Sequence, residues 1–561
     1  MPALHKLLVL GLLALATLVL ALGVYTLGQA QASHIRGMVV DASGPVAGAV
    51  VRLQSGDFYA VTDRHGRFEL PLVESSRNAE APPYLTAWAP GYLVGWTEDV
   101  SPERDAVITI TPHYTTDNPD YDWFSHEGAA GSLSCSHCMP CYEEWQADAH
   151  SRAAVNPRFL SLYNGTTLTD RPGEPTVYRF DPALGIDVPV APSLGQDAAG
   201  PGFRLDFPDQ PGNCALCHVP GAAARRGAAY QVDIREVSGI ELEGVFCEFC
   251  HKIGEVYLDP VTGLPNPSLP GVLSLRLYRP EAGQQVFFGN FDDVPRGRRV
   301  TYLLLIQESA FCAPCHFGVF WGVTMYNSFG EWLDSPYSDP ETGRTCQSCH
   351  MPPVDYDYFV YPEQGGMHRD PARILSHRMP GAADPALLAE TATVEVQASR
   401  EEDGLRVTVR VTNSGAGHHI PTDNPLRNLI LLLQATDAAG QPLALLDGPT
   451  IPEWGGVGDP ARGYYAGQPG VLYAKILADF YTGETPTYAY WRQTRLVSDN
   501  RIPALATDET IYRFALPGDD GPLTVDVQLL LRRAFIELMD LQHWNTPDML
   551  MNHVTVTVGG E

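Results

Sequence analysis

The sequence predicts a multidomain protein: an N-terminal β-sandwich, a central domain of α plus irregular structure, and a C-terminal β-sandwich. Three observations predict it. At 561 residues the chain exceeds one hydrophobic core, since domains usually run about 100–200 residues. Apolar and polar residues alternate with period two on both sides of the centre, which marks strands. All eleven cysteines lie between Cys135 and Cys349, in a stretch rich in Pro, Gly and aromatic residues. A hydrophobic content of 44% excludes a disordered chain. A net charge of −29 excludes nucleic acid as a partner, because its phosphates would be repelled.

Residues 1–33 read as a targeting segment. His5 and Lys6 give a weakly basic start, and Leu7 to Gly28 is almost wholly apolar. Ala30-Gln31-Ala32 fits the small-x-small rule for signal peptidase. The apolar run also approaches the length that spans a bilayer. A cleaved signal peptide and a retained single N-terminal anchor at residues 7–28 both follow from this pattern. Either places the remainder outside the cytoplasm, at the periplasmic or extracellular face. No later segment is long and apolar enough to span a membrane.

Residues 34–112 read as short strands and turns. Ile35-Arg36-Gly37-Met38-Val39-Val40 runs into a turn through Asp41-Ala42-Ser43-Gly44-Pro45. Ala49 to Leu53, Tyr59 to Thr62, a turn through Asp63-Arg64-His65-Gly66, and Arg67 to Leu70 follow. Strands at this spacing predict a small β-sandwich. The Gly-Pro-Val-Ala-Gly-Ala-Val-Val run, the Thr62-Asp63…Gly66…Phe68 turn and Ala89-Pro90-Gly91-Tyr92 together resemble the carboxypeptidase regulatory-like domain. That resemblance implies a non-catalytic spacer or docking sandwich.

Residues 113–386 carry the chemistry. Four complete C-x-x-C-H motifs occur: Cys214–Cys217–His218, Cys247–Cys250–His251, Cys312–Cys315–His316 and Cys346–Cys349–His350. Two thiols so spaced add across the two vinyl groups of a haem, and the next residue presents an imidazole to the iron. Chance from composition predicts on the order of 0.01 matches. Paired C-x-x-C units also build zinc sites or disulfides, but neither explains a His directly after all four pairs. The reading is covalent haem c, which is attached outside the cytoplasm and so agrees with export. Covalent cofactors also hold together a segment with little regular core of its own.

A fifth site has the thiols without the histidine: Cys135-Ser136-His137-Cys138-Met139-Pro140-Cys141. Three readings stand. Cys135 and Cys138 carry a haem with Met139 as axial ligand; they carry a haem whose iron binds a remote residue or is left open; or they form a disulfide with a spare thiol. The cofactor count is therefore four haems, or five. A following Tyr142-Glu143-Glu144-Trp145…His150 segment looks like a helix carrying a distal histidine. Phe329-Gly330-Glu331-Trp332…Tyr337 echoes it, with Tyr337 in the place of His150.

These motifs resemble the multihaem cytochromes c, a superfamily of electron carriers, pentahaem nitrite reductases and octahaem hydroxylamine oxidoreductases. The resemblance rests on Gly244 to Lys252, on Cys346 to Pro352 and on the Glu-Trp helix, and covers roughly 120–380. It implies haem content but not reaction type. The chain departs from the family at Met139, where His is expected.

Low-spin electron-transfer haems need a second axial ligand each. The candidates are His150, His377 in Ser376-His377-Arg378-Met379-Pro380, either of His418 and His419 in the turn Gly415 to Thr422, and His126 and His368. The resemblance supports His377 as a distal segment.

Residues 387–561 return to alternation. Thr393 to Val396, Leu405 to Val411, Val525 to Leu529 and Val554 to Val558 have period two. Leu429-Ile430-Leu431-Leu432-Leu433 reads as a strand buried on both faces. A β-sandwich with a long insertion around 450–505 is expected.

The functional expectation is an exported cytochrome passing electrons between redox partner proteins or a quinol-linked complex. The alternative is a multihaem oxidoreductase acting on a small nitrogen or sulfur oxyanion at the atypical first haem. Tyr142, His137 and His126 are the nearby acid–base groups in sequence, and no catalytic residue is assigned.

Overall fold

The computed structural model describes residues 34–72, 78, 84–123, 131–190, 199–225, 231–294, 299–518 and 520–559. The N-terminal apolar segment, and with it the choice between signal and anchor, lies outside the described residues. Among the described residues, no helix is long and apolar enough to cross a membrane. Many small β-sheets and short helices make up two units. One gathers the described residues of Met1–Tyr114, Gln285–Leu303 and Met367–Arg369; the other gathers those of Thr115–Gln284, Leu304–Gly366 and Asp370–Glu561.

The first unit is built on strand His34–Asp41, whose alternation buries Ile35 and Val39 and exposes His34 and Arg36. This strand pairs antiparallel with Arg67–Pro71 and parallel with Ala106–Thr109. A second sheet runs Tyr59–Val61, Val50–Leu53, Leu85–Trp88, Gly95–Thr97. Ile35, Val39, Val51, Leu70, Leu85 and Ile108 fill the core. Gly37 is required: a Cβ there would stand 2.2 Å from the Ala106 carbonyl oxygen of the neighbouring strand. The predicted turn at Asp63 forms as an Asx turn, with Asp63 Oδ1 accepting from His65 N–H and Arg67 N–H. Two later segments belong to this unit. Trp88 Nε1 donates to Thr301 Oγ1 at 3.0 Å, and buried Asp293 pairs with Arg369 at 2.8 Å.

In the second unit the C-terminal residues form two sheets. One runs Thr393–Glu401, Gly404–Thr412, Thr507–Phe514, Leu445–Asp447; the other runs Thr494–Asp499, Gly470–Asp479, Asn428–Thr436, Leu523–Arg532, Met549–Val558. Leu405, Val407, Val409 and Val411 face Leu429, Leu431, Leu433, Val525, Val527 and Leu529 across the interior. Each such side chain contributes roughly 1.5–3 kcal/mol on burial. The strand read as buried on both faces is so: Ile430 points to the other side, into a cluster with Leu472, Leu530, Phe535, Leu538 and Trp544.

The expected insertion around 450–505 is a correction. It supplies strands Gly470–Asp479 and Thr494–Asp499 of the five-stranded sheet. Alternation hides the first of these because both its faces are buried and Lys475 interrupts the apolar run; Lys475 Nζ donates to the Thr324 carbonyl at 2.9 Å.

The cysteine-rich segment packs on the outer face of that sheet. Leu162 of helix Pro157–Asn164 joins the Ile430 cluster, and Trp544 Nε1 donates to Ser161 Oγ at 3.0 Å. The segment's own core is aromatic: Tyr121, Trp123, Trp145, Tyr163, Phe246 and Phe249. Its longest helix among the described residues is Met139–Ala147, nine residues, and its sheets are two-stranded ladders. The region is thus turns and short helices rather than a helical domain.

Candidate functional site

Each complete motif folds as one helical turn. Ala215–His218, Cys247–Cys250 and Cys346–His350 are short helices. The third motif closes through Cys315 N–H and His316 N–H on Cys312 O, at 3.3 and 3.2 Å. In such a turn positions i, i+3 and i+4 share a face. Two thiols and an imidazole on one face fit a macrocycle held by two thioethers and one axial bond. The Cys135–Cys138 turn closes similarly, with Cys138 N–H on Cys135 O at 2.9 Å. There, however, Met139 opens a helix instead of ending one. The Met139 side chain lies outside the described residues, as does all of His126.

Three motif histidines face a second imidazole. His251 and His377 have ring centres 6.4 Å apart with planes 22° apart. His350 and His418 stand at 6.4 Å and 13°. His316 and His150 stand at 6.2 Å and 68°. A metal–imidazole bond of about 2 Å on each side, plus about 1 Å from nitrogen to ring centre, puts two trans imidazoles roughly 6 Å apart. The three pairs therefore fit iron between them. His218 has no such partner among the described residues; Phe159 stacks flat on the face of its ring, at 3.7 Å and 3°, and so holds the imidazole in place.

Of the other candidates, His419 turns towards Glu331, with Nδ1 3.7 Å from Oε1. His368 lies in the first unit, where its N–H donates to Asn78 Oδ1 at 2.9 Å.

The outer nitrogens fix the tautomers. Nδ1 of His218, His350, His377 and His418 lies 3.1, 2.6, 3.1 and 2.9 Å from the carbonyls of Ala153, Pro380, Leu375 and His419. A carbonyl only accepts, so each Nδ1 carries the proton and each Nε2 keeps a lone pair for metal. Burial pushes His218, His350 and His418 down as titrating groups, which also keeps them neutral. His316 goes the other way. Burial opposes its cation, but the Asp423 carboxylate, Oδ2 3.8 Å from Nδ1, lifts the free imidazole to about 9.

The Glu-Trp echo has a structural meaning. Trp145 Nε1 donates to Val245 O at 2.9 Å, two residues before Cys247; Trp332 Nε1 donates to Arg344 O at 2.8 Å, two residues before Cys346. The glutamates take the opposite ligands. Glu144 Oε2 accepts from His377 N–H at 2.6 Å, and Glu331 Oε2 accepts from His419 N–H at 3.2 Å, beside His418. Each Glu-Trp pair thus ties a motif to the segment that supplies its facing histidine. The sequence held this signal in the echo itself.

Thiols of different motifs lie close enough to act on one another. Cys135 perturbs Cys247, Cys312 perturbs Cys346, and Cys217 perturbs Cys315; Cys250 also acts on Cys312. These are properties of free thiols, which thioethers would lose, but the proximity is geometric. The Cys312–Cys315 motif is the junction of the set. Cys141, pushed up to about 12 by burial, interacts with Tyr356.

No protein-family model matches the chain, and no curated protein does. Among solved structures, a penta-haem cytochrome c552 from Thermochromatium tepidum is similar, with 19% identity, a TM-score of 0.50, and coverage of 76% of this chain and 98% of that chain. A type II cohesin–X-dockerin complex from Acetivibrio cellulolyticus matches 19% of this chain and 73% of its own at 17% identity, with a TM-score of 0.13, too slight to bear on the fold. The likeness to the cytochrome shows that the chain has a multihaem cytochrome c fold. The regulatory-like resemblance of the N-terminal sandwich finds no counterpart in these comparisons.

Proposed function

We propose that the chain is an exported multihaem c-type cytochrome that transfers electrons. Haems on Cys214/Cys217, Cys247/Cys250, Cys312/Cys315 and Cys346/Cys349 form the set, with a fifth on Cys135/Cys138. The single observation that carries this reading is the three imidazole pairs at 6.2–6.4 Å. Such pairing suits one-electron carriage, the chemistry the haem supplies when bound. The chain's residues would supply two imidazoles to each of three haems, fix the tautomers and exclude water through the aromatic core. Proximity of the motif thiols supports a continuous conduit with the Cys312–Cys315 site at its junction. The acidic surface suits basic redox partner proteins, and residues 1–33 suit export with either cleavage or a single anchor beside a quinol-linked complex.

The test is intact mass with a haem assay, on protein made in a host that attaches haem c. Four or five haems per chain are expected, and fewer than four would sink the reading. Loss of one haem in Cys135→Ala/Cys138→Ala would assign the fifth.

A second reading, an oxidoreductase acting on a small nitrogen or sulfur oxyanion, has one specific observation in its favour, and not at the site expected. Near the Cys214 motif, Tyr326 and Tyr490 pack edge to face at 5.9 Å, both within electrostatic reach of Cys214. Phenol donors beside a haem iron would serve substrate binding and proton delivery better than carriage. Carbon monoxide binding to the reduced protein, weakened by Tyr490→Phe, would favour this reading; an entirely low-spin, unreactive spectrum would remove it.

A further inference from the structure

The imidazoles that fit haem iron differ in what their outer nitrogen touches. At His218, His350, His377 and His418 it is a neutral backbone carbonyl. At the His150–His316 pair a carboxylate stands by both imidazoles, hydrogen-bonded to His150 and at ion-pair distance from His316. Asp148 Oδ1 lies 2.7 Å from His150 Nδ1, and Asp423 Oδ2 lies 3.8 Å from His316 Nδ1. Asp148 is buried, so little water screens it.

Asp423 is costly to keep. It sits at φ +68°, in the left-handed region that few side chains other than Asn and Asp tolerate. Its Oδ1 is buried without a hydrogen-bond partner among the described residues, which is unfavourable. A charged group retained under strain and without full hydrogen bonding marks a functional demand.

The physical effect of such a carboxylate is known in direction. Hydrogen-bonded, as Asp148 is to His150, it draws the Nδ1 proton, gives the imidazole imidazolate character and would make it a stronger donor to the metal; at ion-pair distance, as Asp423 is from His316, it acts through its negative charge. Stronger donation and nearby negative charge both stabilise the ferric over the ferrous state.

We propose that Asp148 and Asp423 are positioning residues that make the haem on Cys312 and Cys315 the lowest-potential haem of the chain. The proposal rests on the haem reading above. Its consequence follows from place: this motif adjoins the thiols of Cys217, Cys250 and Cys346. The junction is therefore the last site to be reduced. Electrons rest on the flanking haems and cross the junction uphill.

The geometry supplies its own spectroscopic label. The His150–His316 planes cross at 68°, whereas the other two pairs cross at 22° and 13°. Crossed imidazoles give a highly anisotropic low-spin ferric signal, and near-parallel ones give a rhombic signal. Potentiometric titration of the full haem-loaded protein, followed by electron paramagnetic resonance, reads each class separately. The anisotropic signal should disappear last on reduction. Asp148→Asn and Asp423→Asn should each raise its midpoint, leave the rhombic signals unmoved, and add in the double variant; Asp148→Glu should recover most of the shift. Asn keeps the backbone acceptor at 148 and tolerates the left-handed backbone at 423, so only the charge is removed. Haem content is measured first. Too few haems would overturn the cytochrome reading itself. A full haem complement with an anisotropic signal that is reduced early, or whose midpoint ignores both variants, would overturn this proposal alone.

Discussion

Glu144 Oε2 accepts the backbone N–H of His377 at 2.6 Å, and its other oxygen accepts from Tyr356 at 3.2 Å. The helix that carries Glu144 also carries Trp145, whose indole holds the backbone just ahead of Cys247. One helix therefore sets the separation of His251 and His377. Hydrogen bonds to a charged acceptor are worth roughly 1.5–3 kcal/mol. Glu144→Ala should loosen His377 and convert the haem on Cys247 and Cys250 partly to high spin. Glu144→Gln, which keeps an acceptor, should do so less. The measure is the loss of one rhombic low-spin signal with total haem unchanged; an unaltered spectrum in the alanine variant would show that Glu144 does not position the ligand.

Replacing the ligand should be more drastic. His377→Ala should open the same iron outright, giving high-spin signal from one haem per chain and new carbon monoxide binding. His419→Ala should leave every haem low-spin, because its ring faces Glu331 and not His350. A low-spin loss in the His419 variant equal to that of His418→Ala would refute the assignment of His418.

That contrast shows where sequence reading stops. Cys214, Cys217 and His218 stand at the spacing one macrocycle would impose, so each motif is visible in a single line of sequence. The facing histidines answer to no spacing rule. His150, His377 and His418 come from a helix end, a loop and a sandwich turn, and only folding separates His418 from its neighbour. Asp148 and Asp423 were invisible as functional groups, since a carboxylate acquires its meaning from the imidazole beside it. The β-sandwich at the end of the chain was legible where one strand face meets water, as in Leu405 to Val411. It was illegible at Gly470–Asp479, where both faces are covered and a buried lysine breaks the run.

Acid should destabilise the second unit partly through Asp233. Its carboxylate is held down to about 2, first by Arg235 at 2.5 Å, with Arg204 at 3.3 Å and the Arg235 N–H also contributing. A depressed folded-state value means that the stabilisation is complete above about pH 4, the unfolded range, and is lost as pH falls towards 2. Arg235 is about half exposed, so screening reduces the contribution to about 1 kcal/mol. Asp233→Asn should lower the thermal midpoint at pH 7 and remove part of its fall between pH 4 and 2. Parallel wild-type and variant melting curves over that range would assign the acid sensitivity elsewhere.

The buried Lys252–Glu248 pair should be costly to break. Nζ and Oε1 are 3.3 Å apart, both side chains are shut from water, and the Tyr121 hydroxyl donates to the same carboxylate. Glu248 lies inside the Cys247–Cys250 turn and Lys252 directly follows His251, so the pair is built into the haem motif. Removing one partner leaves an uncompensated buried charge, worth about 3–5 kcal/mol. Lys252→Met should therefore shift the guanidinium midpoint strongly, while Lys252→Met with Glu248→Gln should recover much of the loss, because neutralising both removes the desolvation cost as well as the attraction. If the double variant is as unstable as the sum of the singles, the pair acts through packing rather than charge. The Glu248 carboxylate, without the lysine in the single variant, should also lower the midpoint of the rhombic signal assigned to His251 and His377, an effect that packing damage without charge would not produce.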